Sequence, residues 1–231
     1  MVNERLLRQL DIVTTKDLNF NIHVIGAGGI GSFTVLLLAK MGCKNIIVYD
    51  DDTVEDHNIA SQFFKEDQLE MNKVEALKVN VLEQTGIEIE HAEQIDEEYI
   101  NSGLVIFAVD SMEERIRLGE IYKDKDIYII DARMGGLQLE IYSRTSKNYP
   151  STLVEPTDIS HDPCTAKAIS FNCAVIGGLI ANQVRLFATK KLKEEDLMYL
   201  FETNSFLKSG ADQVEDVVST EDTIEKDVVE E

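Results

Sequence analysis

The chain is short of cysteine, of proline and of positive charge. Its 231 residues include three Cys, three Pro and 22 Lys plus Arg, set against 43 Asp plus Glu. Thiols at Cys43, Cys164 and Cys173 are too few for a disulfide framework or a four-cysteine zinc site, so no structural zinc is expected. The deficit of bases leaves a formal net charge of -21. Duplex DNA, RNA backbone and anionic membranes repel a chain of that sign, which excludes them as main partners. No apolar run approaches the roughly 20 residues that a bilayer crossing takes. The N-terminal MVNERLLRQL has no apolar signal core, so the expected location is the cytoplasm.

What remains is a chain that is 44% hydrophobic and long enough to bury a sizeable core. Its length suits one globular α/β domain with a small appendage. The appendage is legible in the charge pattern. From Gly210 to Glu231 nine acids face one base, Lys226, and no aromatic residue occurs. Such a segment buries too little apolar surface to offset its ordering entropy. The expected organisation is therefore a folded domain over residues 1–209 and a disordered acidic tail over residues 210–231.

Strand and helix patterns alternate along the body. Asn21–Ile25, Asn45–Tyr49, Ile87–His91, Gly103–Val109 and Asp126–Ile130 read as strands, and Leu137–Tyr142 alternates with period two. Gly31–Met41, Asn72–Gln84 and Met112–Tyr122 carry apolar residues at helical spacing. Strands separated by helices predict βαβ units. The expected fold is a Rossmann-like, doubly wound, mostly parallel α/β sheet of about eight strands with a late antiparallel extension. Tyr149–Cys164 holds all three prolines and reads as a long crossing loop, followed by an apolar helix over Thr165–Phe187. That helix is either a core helix or one partly buried against a second subunit.

The chemistry begins at Gly26-Ala27-Gly28-Gly29-Ile30-Gly31, which follows the first strand and opens the first helix. Glycines there permit a tight turn and close approach of phosphate, and the helix N-terminus favours negative charge. Asp50 ends the next strand, 19 residues past Gly31, where an acid accepts hydrogen bonds from ribose hydroxyls. The combination points to an adenine nucleotide without choosing among NAD, FAD and ATP. Lys73 at a helix start and Asp110 at the mouth of the fourth strand favour ATP. The lysine neutralises phosphate charge and the aspartate offers a hard oxygen to Mg²⁺. Taken singly, Lys73 reads as a solvated helix-end lysine and Asp110 as the N-cap of Met112–Tyr122.

The stretches GAGGIGS, YDDDTVEDHNIASQ, NKVEA and AVDSMEER, in that order, resemble the ThiF/MoeB/HesA adenylyltransferases, bacterial relatives of ubiquitin-activating enzymes. The resemblance covers about Leu7–Tyr142. It implies an enzyme that uses ATP and Mg²⁺ to adenylate the C-terminal glycine carboxylate of a small ubiquitin-like or sulfur-carrier protein ending in Gly-Gly. By the same resemblance Gly26, Gly28, Gly29, Gly31, Asp50, Asp52, Asn58, Gln62 and Lys73 hold nucleotide. Lys73 contacts phosphate, Asp110 binds magnesium, and Arg8 reaches across a homodimer to the partner's ATP. Cys164, after the adenylation core, is the candidate nucleophile for a later transfer step, with His161 as its candidate base. Cys43 and Cys173 read as packing residues.

The sequence departs from the family pattern at Ser61, which stands where the family has an arginine. A missing charge-assisted hydrogen bond costs about 1.5–3 kcal/mol. Arg115 and Arg133 are the candidates to replace that charge. Ser111 likewise replaces a common asparagine, and the family's paired C-x-x-C motifs are absent. Two alternatives stand beside the adenylation reading. One is an NAD(P)-dependent Rossmann oxidoreductase, and the other is a non-catalytic scaffold that binds nucleotide or carrier.

Overall fold

The computed structural model describes residues 4–93, 95, 100–153 and 168–210. After a 3₁₀ turn at Glu4–Gln9 the chain forms β1 (Ile22–Ile25), α1 (Gly29–Met41), β2 (Ile46–Tyr49), the short α2 (Asp56–Ile59) and α3 (Lys73–Thr85). Then come β3 (Glu90–Ala92), β4 (Ser102–Phe107), α4 (Met112–Tyr122), β5 (Asp126–Gly135) and β6 (Gln138–Thr145). A 3₁₀ turn at Tyr149–Thr152, α5 (Ser170–Ala188), β7 (Glu195–Leu200) and β8 (Ser205–Gly210) follow.

The eight strands form one sheet in the order β3-β2-β1-β4-β5-β6-β7-β8. Strands β3, β2, β1, β4 and β5 run parallel, and β5 through β8 pair antiparallel. The expected doubly wound sheet with a late antiparallel extension is what forms. Leu137–Tyr142 begins that extension, and its strand runs on to Thr145.

Period-two alternation divides the core between the two faces of the sheet. Ile22, Val24, Ile46, Val48, Leu104 and Ile106 pack with residues of α1, α3 and α5 on one face. Ile25, Ile47, Tyr49, Val105 and Phe107 pack with Leu118, Tyr122 and Tyr149 on the other. The strands are apolar on both faces because helices cover both, as a parallel sheet requires.

Helix α5 corrects one sequence expectation. By length and composition its 19 residues would suffice to cross a membrane. Here Cys173, Ile176, Gly177, Ile180 and Val184 are buried. A Cβ added at Gly177 would sit 3.1 Å from the backbone N of Thr34, so α5 and α1 touch closely along this face. Its opposite face exposes Phe171 and Val175.

Candidate active site

The order of the parallel strands reverses between β1 and β4, which lie side by side although α1, β2, α3 and β3 separate them in sequence. A crevice opens at the carboxyl ends of strands at such a switch point. It is a cleft of about 1440 Å³ whose lining includes Gly26, Gly28, Gly29, Asp50, Lys73 and Asp110.

Its floor is the glycine turn. Gly26 has φ +99, a conformation that an L side chain rarely adopts. An added Cβ there would lie 2.5 Å from the carbonyl oxygen of Ala108. Gly31 is buried inside the first turn of α1, where an added Cβ would meet Gly26 O at 1.9 Å. The turn is therefore wedged between α1 and the end of β4. Gly28 is the N-cap of α1, and the first turn of that helix holds no acidic residue. Its amide dipole stays available to an external anion.

Asp50 stands at the end of β2. One carboxylate oxygen accepts the Ala27 N–H at 2.6 Å and the other accepts the Asp52 N–H at 2.9 Å. Burial pushes its carboxyl above the usual aspartate range, while the Ala27 amide and Lys73 pull it back down. Lys73 opens α3 as expected, but it is not a solvated helix-end residue, being 7% exposed. Its Nζ donates to Asp52 Oδ2 at 2.6 Å. Asn58 is buried, and its Oδ1 accepts the Glu55 N–H at 2.9 Å, which ties one of its polar atoms to the start of α2. Gln62 presents a buried Oε1 that has no hydrogen-bond partner among the described residues.

Asp110 is exposed in the cleft wall. It is not the N-cap of α4. Ser111 caps that helix, its Oγ accepting the Glu114 N–H at 3.3 Å. The carboxylate of Asp110 is thus not drawn into a helix cap. Arg8 is exposed on the first 3₁₀ turn and does not line the cleft of its own chain. Cys164, its neighbour His161 and the residues after Gly210 lie outside the described residues. Cys43 and Cys173 are fully buried. Burial pushes their thiols up to about 12 and about 11, which suits packing and not nucleophilic attack.

The chemistry of these residues fits a nucleotide phosphate with a divalent cation. The first turn of α1, free of acidic residues, opens onto the cleft. Gln62 Oε1 is an orphaned acceptor in the wall, and the hard oxygens that magnesium takes are present at Asp110. The ligand oxygens of Asp50, Asp51 and Asp52 also lie within 4.8 Å of one another.

A family model described as the ThiF family matches residues 8–216. The chain belongs to the ThiF family. Among curated relatives this ThiF-family chain is similar to ubiquitin-like modifier-activating enzyme 5 of Arabidopsis thaliana, 39% identical over 57 residues. That match covers 25% of this chain and 13% of the plant protein. It is also similar to SUMO-activating enzyme subunit 2 of Dictyostelium discoideum, 30% identical over 124 residues, which is 50% of this chain and 19% of the relative. The matched stretches thus span a small part of these longer relatives. Among solved structures, E. coli MccB with AMPCPP and MccA superposes with a TM-score of 0.71 at 16% identity, covering 90% of this chain and 71% of that one. PaaA superposes with a TM-score of 0.68 at 20% identity, covering 84% and 65%. At these identities the structural likeness speaks for the fold.

The arginines of this ThiF-family cleft are where the sequence was least informative. Arg115 and Arg133 both line it, but neither holds a guanidinium in reserve for the charge missing at Ser61. Arg115 donates to Asp131 and to backbone carbonyls. Arg133 donates to Asp131 Oδ2 at 2.8 Å and to Thr152 O at 3.1 Å, and its guanidinium lies 4.1 Å from the centre of the Tyr142 ring. Asp131 itself, 0% exposed, was not singled out by sequence reasoning. The available signal was an acid closing the apolar run DIYII, the same signal that marks Asp110 after GLVIFAV.

Proposed function

We propose that this ThiF-family protein adenylates the C-terminal carboxylate of a small ubiquitin-like or sulfur-carrier protein ending in Gly-Gly, at the expense of ATP. The observation that carries the reading is the convergence on one cleft of the glycine turn, the ribose-side acid Asp50, the buried cation Lys73 and the exposed acid Asp110. A dehydrogenase has no use for the last two. The relatives named above, activators of ubiquitin-like modifiers and of SUMO, support a small protein as substrate.

Magnesium, when bound, would polarise the phosphate oxygens and neutralise the charge that develops as pyrophosphate leaves. Asp110 would hold it. The α1 amides would cradle the phosphates, and Asp50 would take the ribose hydroxyls. Lys73 would exchange its bond to Asp52 for a phosphate oxygen. The carrier carboxylate would attack the α-phosphorus. The role of the chain is to position these groups and to stabilise charge.

The test is nucleotide-dependent thermal stability. At a hundredfold excess over Kd, ATP with Mg²⁺ should stabilise by about 2.7 kcal/mol, a rise in Tm of about 5–10 °C for a chain of this size. A rise with NAD(P) in place of ATP would establish the oxidoreductase reading instead, and no rise with either would overturn both. Binding of ATP without carrier-dependent pyrophosphate exchange would leave the scaffold reading standing.

A homodimer is part of the proposal. It is supported by the outward apolar face of α5, with Phe171 47% and Val175 37% exposed and open space around Gly178. Arg8, outside the cleft of its own chain, would serve the partner's. Light scattering should give twice the mass of one chain, and a monomer under turnover conditions would remove Arg8 from the site.

A further inference from the structure

Asp110 sits in a segment that belongs to neither strand nor helix. The last ladder bond before it is Ala108 N–H to Ile25 O at 2.8 Å, and α4 begins at Met112. Its far end is tied into α4, where Ser111 O accepts the Arg115 backbone N–H at 3.2 Å and Ser111 Oγ accepts the Glu114 N–H, and one side chain adds a bond on each side of the acid. Arg115, on the first turn of α4 and 4% exposed, donates Nη1 to Ser111 O at 3.3 Å and Nη2 to Val109 O. These are the carbonyls immediately before and after Asp110. The same Nη2 donates to Ala132 O at 3.0 Å, and Nε donates to Asp131 Oδ1 at 2.9 Å. The guanidinium thus spans from β5 to both flanks of the acid.

Asp131 makes this burial tenable, because an unpaired guanidinium inside the fold would be strongly unfavourable. Its other oxygen accepts from Arg133 Nε at 2.8 Å and from the Tyr149 hydroxyl at 3.0 Å. Only arginine presents donors in a planar fork wide enough for such a span, whereas lysine offers one compact ammonium.

We infer that Arg115 is a positioning residue for Asp110, with Asp131 as its buried counter-charge. The inference rests on the adenylation reading for the task of Asp110, but the grip on residues 109–111 is independent of it. It also accounts for why Arg115 does not supply the charge missing at Ser61. Groups that orient a metal ligand affect metal affinity or activity by about 10–100-fold when removed.

The test uses the full chain with Arg115→Lys, which keeps a positive charge opposite Asp131 and loses the span. Two quantities are read. The Mg²⁺ concentration for half-maximal carrier-dependent ATP–pyrophosphate exchange should rise about tenfold, while affinity for AMP, which needs no metal, stays within about twofold. Hydrogen exchange of the amides of residues 114 and 115, which donate to Ser111 Oγ and Ser111 O, measured without nucleotide, should accelerate while the strands keep their protection. If Arg115→Lys does not fold, Asp131→Asn, which loosens the anchor but keeps the fork, should shift both quantities in the same direction. An unchanged Mg²⁺ midpoint, or unchanged exchange at residues 114 and 115, overturns the inference. Should the wild-type chain show no ATP-dependent exchange at all, the adenylation reading falls. The hydrogen exchange then decides alone: acceleration at residues 114 and 115 upholds the positioning role and its absence overturns it.

Discussion

Asp110→Ala should lower carrier-dependent ATP–pyrophosphate exchange by about 10³-fold, the several kcal/mol that a metal contributes to phosphoryl chemistry. The fold should be untouched. Asp110 is exposed, the helix cap beside it belongs to Ser111, and such surface changes usually stay within about ±0.5 kcal/mol. The Tm without nucleotide is therefore the control, and it should not move. Cys164→Ala gives the contrast. If the thiol serves only a step after adenylation, the exchange proceeds at the wild-type rate, because pyrophosphate is released and recaptured before any transfer. Loss of exchange in Cys164→Ala would show that adenylation and transfer are not separable here. Retention of exchange in Asp110→Ala would remove the acid from the metal site.

The second large effect is on the scaffold. Gly31→Ala places a methyl group 1.9 Å from Gly26 O and 2.8 Å from Gly26 C, both backbone atoms that have nowhere to go because Gly26 is itself pressed against Ala108. Overpacking of this kind costs about 3 kcal/mol, or a fall in Tm of about 6–12 °C. The shift on adding ATP·Mg²⁺ should vanish as well, since the turn must open to admit the methyl group. Gly178→Ala is the matching control. It sits in α5 with nothing among the described residues of its own chain within 4 Å of its Cβ position, so at dilutions where the chain is a monomer the better helix propensity of alanine should stabilise by about 0.5–1 kcal/mol. Equal tolerance at the two glycines would mean that the turn is not the tight wedge described.

How far the site could be read in advance depends on the range of the interactions involved. Gly26–Gly31, Asp50 and Lys73 were legible because each sits at a boundary that local pattern marks: a strand end, a turn that only glycine allows, a helix start. Helix α4 runs over Met112–Tyr122 as the periodicity predicts. Strands β7 and β8 were not delimited, although a sheet of about eight strands was expected. Their residues are mostly half-buried or exposed, and pairing of β7 with β6 and of β8 with β7, not a strong apolar alternation, makes them strands. Arg115 was legible as a candidate cation of the cleft but not in its part there. Its partner Asp131 lies 16 residues away on strand β5, and no local pattern records that meeting.

By itself the sequence determined the family-level scaffold and several residues of the cleft lining: the βαβ order, the glycine turn, and an acid or lysine at each element end. Those follow from backbone conformational limits and side-chain periodicity, which act over a few residues. The tertiary structure decided which charges reach the cleft. The packing of α4 over β5 brings Asp131 beneath Arg115, and Arg133, two residues along the same strand, shares that carboxylate, so two of the scarce bases are held by one buried acid, while Lys73 is held by Asp52. A chain with 22 bases and 43 acids leaves its cations partnered inside the fold because a buried charge without a counter-charge is strongly unfavourable. Which acid Arg115 and Lys73 meet is a property of the topology, whereas Arg133 meets its acid through the period-two alternation of one strand.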